Sequence, residues 1–244
     1  MKIFTEQEAK TIMDAIVAET YYCDAVFKYL DYDGGLQMIS NTTVQFTRQD
    51  SLNDNCDCNV ETLVDFTPFE SLGLGKDNEE KYKAKIRREI EQCGILSLGK
   101  TYDNETLWKG YSRDGSLGDV ICIELDPKKL IDILQKPLLQ VHYFEDASKR
   151  IPVNLLFPGT DKVLQRLFFY QFYTTKFKWD RPHKNHWELE DELRFVDVAV
   201  QEKPVNRIRV PKTCFRRIFV KRTMRQDNIN RIRSCSNGIP VSLL

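Results

Sequence analysis

His186-Trp187-Glu188-Leu189-Glu190-Asp191-Glu192-Leu193-Arg194-Phe195-Val196 alternates apolar and charged residues with a period of two. A strand repeats its side-chain direction every second residue, so the pattern predicts a strand from near Glu188 to Val200. Glu188, Glu190, Glu192 and Arg194 then share one face, with Trp187, Leu189, Leu193 and Phe195 on the other. Alternate residues on a strand face stand ~7 Å apart, near enough for three carboxylates to repel one another unless Arg194, a cation or a substrate offsets them. The segment is therefore a candidate charged site, although a solvent-facing strand also carries such charge.

Before this segment, Thr5-Glu6-Gln7-Glu8 reads as a capping box that starts a helix running to about Glu19. Val26 to Leu30 predicts a short strand, stopped by a turn at Asp31-Tyr32-Asp33-Gly34-Gly35. Leu36 to Ser40 then suits a short helix, Thr43 to Thr47 a strand, and Ser51 to Asp57 a polar loop. Asp77 to Gln92 is a charged helix with the thin apolar stripe Tyr82, Ile86 and Ile90. Ile95 to Leu98 follows as a strand, Asn104 caps a helix through Tyr111, Val120 to Leu125 is a buried strand, and Pro127 opens a helix to about Gln135. Leu138 to Phe144 predicts a strand and Asp161 to about Lys176 an aromatic-rich helix. After the glutamate segment come a basic pair of strands, Arg207 to Val210 and Phe215 to Lys221, and a helix over Gln226 to Cys235. The irregular alternation and short late links predict an α+β (mixed α/β) fold: one compact domain over residues 1–244, with a mixed sheet flanked by helices.

A chain of 244 residues, 41% hydrophobic and 11% aromatic, can bury a sizeable core. Its longest apolar runs, such as Ile131 to Leu134, fall far short of the ~20 residues a bilayer requires, so no membrane partner is expected. The stretch Met1-Lys2-Ile3-Phe4-Thr5-Glu6 lacks the apolar core of a secretory signal, which makes a cytoplasmic location the expectation. Seven scattered cysteines with no Cys-x-x-Cys spacing read as reduced thiols. Cys56-Asp57-Cys58 stands as a single pair, and His183 and His186 fall in a loop, so no metal is predicted. Lys plus Arg equal Asp plus Glu at 36 each, but residues 202–233 hold eleven basic residues against Glu202 and Asp227, a net +9. Such a segment can meet the phosphates of a nucleotide or nucleic acid, or be neutralised by the acidic remainder of its own fold.

Four clusters join polar chemistry to aromatic rings: Phe27-Lys28-Tyr29, Asn53-Asp54-x-x-Asp57, Leu107-Trp108-x-x-Tyr111, and Trp187-x-x-Glu190-x-Glu192-x-Arg194. Their order resembles the prokaryotic family catalogued as domain of unknown function 2971. Its members run from an x-Tyr-Lys-Tyr element through Phe-Asn-Asp-Pro-Phe-Glu and Leu-Trp-x-x-Tyr to Trp-x-x-Glu-x-Glu-x-Arg. The match covers most of the chain, with Gly118 to Ile123 close to the family's usual continuation of the third element. Here the second element lacks the family's proline and ends in Asp57. The family name supplies no reaction.

The same order is similar to that of ADP-ribosyltransferase-like enzymes, which use NAD and place a polar residue on a short first strand and a Glu-x-Glu late in the chain. The resemblance implies that Glu192 is the principal catalytic carboxylate, that Glu190 orients the acceptor or takes its proton, and that Tyr111 stacks on nicotinamide with Trp108 nearby. Lys28, Arg48 or the C-terminal arginines would hold the pyrophosphate, and Tyr29, Asn53, Asp54, Trp187 and Arg194 would complete the pocket. By analogy such an enzyme acts in a toxin or defence setting. The chain departs from that pattern in having Lys28 where His or Arg is usual and no Ser-Thr-Ser strand. A second reading gathers Asp54, Asp57, Glu190 and Glu192 around Mg²⁺ or Mn²⁺ for phosphodiester cleavage. In a third, the aromatic rings are core, the glutamates pair with Arg194, Lys28 or Arg48, and the pocket recognises a nucleotide or protein without turnover.

Overall fold

The computed structural model describes residues 7, 11, 23–52, 57–73, 75–112, 117–145, 150–153, 162–180, 185–197 and 205–244. Of the expected helix over residues 5–19 only Gln7 and Thr11 are described, both helical, and the strand's continuation over 198–200 lies outside the described residues. In chain order the first elements are β1 (Val26–Asp31), α1 (Tyr32–Asn41), β2 (Thr43–Arg48), α2 (Val60–Leu63), β3 (Val64–Asp65), α3 (Thr67–Ser71), α4 (Lys76–Glu91), β4 (Gly94–Gly99) and α5 (Glu105–Gly110). Next come β5 (Val120–Leu125), α6 (Pro127–Leu134), β6 (Leu139–Gln140), β7 (His142–Phe144), β8 (Ile151–Pro152), α7 (Lys162–Thr174) and β9 (Thr175–Phe177). The chain then forms β10 (Trp179–Asp180), β11 (Asn185–His186), β12 (Glu192–Asp197), β13 (Val205–Arg209), β14 (Phe215–Val220), α8 (Gln226–Cys235) and β15 (Val241–Leu243). This is an α+β fold, a mixed sheet flanked by helices.

Among the described residues the main sheet has nine strands in the order β13-β2-β4-β1-β5-β14-β15, with β12 and then β6 branching from β4. Only the β14–β15 pairing in it is parallel. Val120, Ile121 and Ile123 are β-branched and favour extended backbone, and β5 is buried on both faces between β1 and β14. On one face Ile39 of α1, Leu130 of α6 and Ile232 of α8 pack with Ile121, Ile123, Leu96 and Phe195. On the other, Leu107 and Trp108 of α5 cover Phe27, Tyr29, Cys122 and Phe219. A further core joins Ile86 and Ile90 of α4 to Phe168 and Phe172 of α7 around Ile95. Among the described residues no helix is long and apolar enough to cross a membrane.

Four local expectations change. The expected turn at Asp31 to Gly35 is the start of α1: Asp31 is its N-cap, Oδ1 accepting from the Gly34 amide at 2.8 Å. A Cβ on Gly35 would stand 2.7 Å from Ile121 Cδ1, so glycine serves close packing of helix on sheet here rather than chain reversal. The expected strand over Leu138 to Phe144 divides at Val141 into β6, which pairs with β12, and β7, which pairs with β9. The aromatic helix ends at Thr174, and the β-branched Thr175 already belongs to β9. Finally, the two basic strands do not pair: β13 lies on β2 and β14 on β5, towards opposite ends of the sheet.

The sheet forks at β4. Its full length pairs with β12, from Glu192↔Gly99 to Asp197↔Gly94. The other edge is shared, since β1 meets it only at Phe27↔Gly99 and β2 only at Thr47↔Ile95 and Arg48↔Gly94. Leu96, Ser97 and Leu98 thus have no strand partner on that edge among the described residues. A cleft of about 460 Å³ opens at the fork, with Lys28, Tyr111, Lys176, Glu190 and Glu192 in its walls.

Candidate active site

The period-two reading of the glutamate segment fails at its start. Trp187–Glu190 is a 3₁₀ turn, and β12 begins only at Glu192. Asp191 between them has φ 46°, a left-handed conformation that aspartate tolerates better than most residues. Glu188 and Glu190 therefore do not share a strand face with Glu192 and Arg194. The alternation misleads because β12 is covered on both sides: Glu192, Leu193, Arg194 and Phe195 are all buried. The turn nevertheless brings Glu190 back beside Glu192. Asn104 fixes it there, its Oδ1 capping α5 through the Leu107 amide at 3.1 Å while Nδ2 donates to the carbonyls of Leu189 at 2.7 Å and Glu190 at 3.2 Å. One side chain thus ties the helix that carries Tyr111 at its C-cap to the turn that carries Glu190. Sequence reasoning saw only the helix cap.

Arg194 is 0% exposed, and its five N–H groups are all used. Nε donates to Glu192 Oε1 at 2.8 Å, and Nη2 to Glu192 Oε2 at 2.7 Å and to Asp57 Oδ2. Nη1 donates to Asp57 Oδ1 at 2.9 Å and to the Tyr173 carbonyl at 3.0 Å. The guanidinium thus holds two carboxylates in bidentate forks, and its work is to fix them rather than to reach a ligand. Burial would raise both carboxyls, but Arg194 and then Lys176 outweigh it and hold Asp57 and Glu192 below the usual carboxylate range. Both stay ionised at neutral pH.

Lys176 carried no sequence signal of function, yet it sits at the centre of the cluster. Its Nζ lies 3.1 Å from Glu190 Oε2, 3.6 Å from Asp57 Oδ2 and 3.7 Å from Glu192 Oε2, and 4.4 Å above the Trp187 ring. Burial would lower its ammonium, but Asp57, Glu192 and Glu190 overcome that and raise it. Glu190 differs from its neighbours. Burial pushes its carboxyl up to about 7; Lys176 opposes the shift and the charge on Glu192 adds to it. The site therefore holds two carboxylates that stay ionised, Asp57 and Glu192, and beside them Glu190, which titrates near neutrality.

The early strand completes the cleft. By alternation Lys28 lies on the Val26 and Leu30 side of β1, and its side chain reaches across the fork to donate from Nζ to the Ser97 carbonyl at 3.0 Å. That carbonyl belongs to the stretch of β4 that β1 and β2 leave uncovered. The ammonium lies 5.8 Å from the Tyr111 ring, which stacks on Tyr29 at 6.4 Å. Burial and then Glu190 and Glu192 keep the Tyr111 phenol protonated, well above its ordinary range. Tyr29 is bound into the wall, its hydroxyl donating to the Thr101 carbonyl at 2.8 Å and accepting from the Asn104 amide at 3.3 Å.

The cleft thus unites Lys28, Tyr29, Tyr111, Glu190 and Glu192 from three separated parts of the sequence, with Arg194 behind them. No protein-family model matches the chain. No curated protein matches it either. Other expected residues sit elsewhere. Trp108 is a core side chain, 0% exposed, its Nε1 bonded to the Tyr102 carbonyl at 2.8 Å and its ring edge-on to Tyr29. Arg48 ends β2 and pairs with Asp50, Nε to Oδ1 at 3.2 Å, and is not among the residues lining the cleft. Trp187 lies beneath Lys176. Asn53 and Asp54 lie outside the described residues, as do Cys56 and His183. Asp57, the last residue of the same motif, is the member seen to reach the site. The basic segment is spread over both ends of the sheet, and part of it is neutralised locally: Arg216 pairs with Asp126 at 2.9 Å and Arg217 lies 3.9 Å from Glu124.

Proposed function

We propose that the protein breaks the nicotinamide–ribose bond of NAD in the fork of its sheet and passes the ribosyl group to water or another hydroxyl acceptor. The observation that carries this reading is the pair of unlike carboxylates in the cleft, Glu192 held ionised by Arg194 and Glu190 poised near neutrality. As the C–N bond breaks, its electron pair leaves with nicotinamide and positive charge develops on the ribose, where the fixed anion of Glu192 stabilises it. Glu190 accepts the proton of the attacking hydroxyl, work suited to a carboxylate whose pKa lies near the working pH. Tyr111 offers a ring face to the base. The order of these elements along the chain is similar to that of ADP-ribosyltransferases, and the four motifs suit membership of the uncharacterised prokaryotic family.

A metal-dependent nuclease ranks second. Both oxygens of Asp57 and both of Glu192 accept from Arg194, so a divalent cation would have to displace a guanidinium to bind them. The test incubates the purified chain with NAD and measures free nicotinamide by chromatography, with and without EDTA. Release that ignores EDTA and falls in folded Glu190→Gln supports the proposal. Neither binding nor release of NAD by the folded wild type overturns it.

A further inference from the structure

Two lysines are buried in one site, and only one of them has a carboxylate. Lys176 lies within 3.7 Å of three. Lys28, 7% exposed, has among the described residues one hydrogen bond, to the Ser97 carbonyl, and no ion pair. A lysine Nζ keeps two N–H groups and gains a lone pair when it loses a proton, so it can hold the Ser97 carbonyl and still present that lone pair to the cleft. Glu192 of β12 favours its ammonium; Asp31, Asp57, Glu190 and Lys176 line the same cleft, Tyr111 lies across from it, and β2 contributes the neutral Gln45 and Thr47.

We propose that Lys28 is a nucleophilic amine that captures the carbonyl carbon of a small aldehyde or ketone in the fork as an imine. The nitrogen lone pair forms the C–N bond and a proton passes from nitrogen to the carbonyl oxygen, giving a carbinolamine. Glu190 then protonates that hydroxyl, which leaves as water while the nitrogen lone pair closes the C=N bond, and the resulting iminium returns its N–H proton to the Glu190 carboxylate. Amine and carbonyl become imine and water, with no oxidant or reductant required. Burial lowers the Lys28 ammonium to about 8, with Glu192 opposing, so that much of it is neutral at mildly basic pH. This inference goes beyond NAD cleavage and does not depend on it.

The probe is glycolaldehyde with sodium cyanoborohydride, added to the 244-residue chain, with labelled lysines located and timed by peptide mass mapping. At pH 8 an amine with a pKa of about 8 is half neutral, whereas an ordinary lysine near 10.4 is about 0.4% neutral. Lower intrinsic nucleophilicity offsets part of that ratio, leaving an expected lead of about tenfold or more for Lys28 over the exposed Lys109. The Lys28 rate should level off above pH 8 while surface lysines continue to accelerate. Labelling of Lys28 at or below the rate of Lys109, or a Lys28 rate that climbs with the surface lysines beyond pH 9, overturns the proposal. Because the wild-type protein answers the question, loss of folding in a variant cannot obscure it.

Discussion

Replacing Arg194 with methionine removes the guanidinium that holds Asp57 and Glu192, leaving two buried carboxylates whose nearest cation is Lys176 at 3.6 and 3.7 Å. Breaking a buried pair from one side costs ~3–5 kcal/mol, because the abandoned charge remains desolvated. With two acceptors stranded, about 4 kcal/mol is expected at pH 7; for a urea m-value of ~3 kcal/mol/M this moves the unfolding midpoint down by roughly 1.3 M. The sign with pH is specific. In the wild type both carboxyls are depressed, so their stabilisation is complete above the ordinary carboxylate range and is lost as pH falls through the lower folded values. In the methionine variant burial without the guanidinium raises them, so a penalty appears as pH climbs above ~4. The difference between the two proteins should be large at pH 7 and smallest near pH 4. Neutralising the whole network, with Asp57→Asn and Glu192→Gln added to Arg194→Met, should recover much of the loss, since well-packed neutral substitutes often match a buried ion cluster. Equilibrium urea titrations followed by tryptophan fluorescence across pH 4–8 would decide the matter. A single-variant loss under ~1 kcal/mol, or a difference that ignores pH, would refute the view of Arg194 as the anchor of the cleft.

The Glu190→Gln protein should lose ~10²–10⁴ of nicotinamide release, and the wild-type rate should rise through pH 7, as read from initial rates against pH. A carboxyl raised on folding loses its stabilising proton as pH climbs through the folded value, so the same variant should melt above the wild type at pH 8 and level with it near pH 4. Asn104→Asp keeps the α5 cap but cannot donate to Leu189 and Glu190, so release should slow at nearly unchanged helix content by circular dichroism, whereas Asn104→Ala also costs ~1 kcal/mol of stability. Arg48→Ala should leave the kinetics of release unaltered, because Arg48 is engaged with Asp50 away from the cleft.

What the sequence made legible follows from which residues impose local geometry. Val120 to Leu125 reads as a buried strand because β-branched side chains and the apolar run Val120 to Ile123 leave few alternatives. The Asn104 and Pro127 signals place helix starts because capping is a local reaction between a side chain and an amide. The errors arise where tertiary contacts decide. Gly34-Gly35 looks like chain reversal, and only the position of Ile121 explains its place in a helix. Glu188 to Arg194 carries a strand's alternation, and only the left-handed Asp191 and the Asn104 bonds turn its first half aside. Tyr111, Glu190 and Glu192 were accessible as motif members, since aromatic and charged residues stood out together. Lys176 was not, because it follows an aromatic helix and gains its role from carboxylates 14 and more residues distant. Trp108 shows the converse: a motif residue retained for packing.

Because the mouth of the cleft is framed by paired backbone, its width is a matter of register. The interval between the Phe27↔Gly99 and Thr47↔Ile95 contacts leaves three residues of β4 open, about 10 Å of strand. Sliding β1 or β2 by one residue would turn every side chain on it to the opposite face, exchanging Lys28 for an apolar neighbour. Relatives with this frame could widen or narrow it only in double steps of about 7 Å, so ligand size across such a lineage should fall into discrete classes rather than vary continuously.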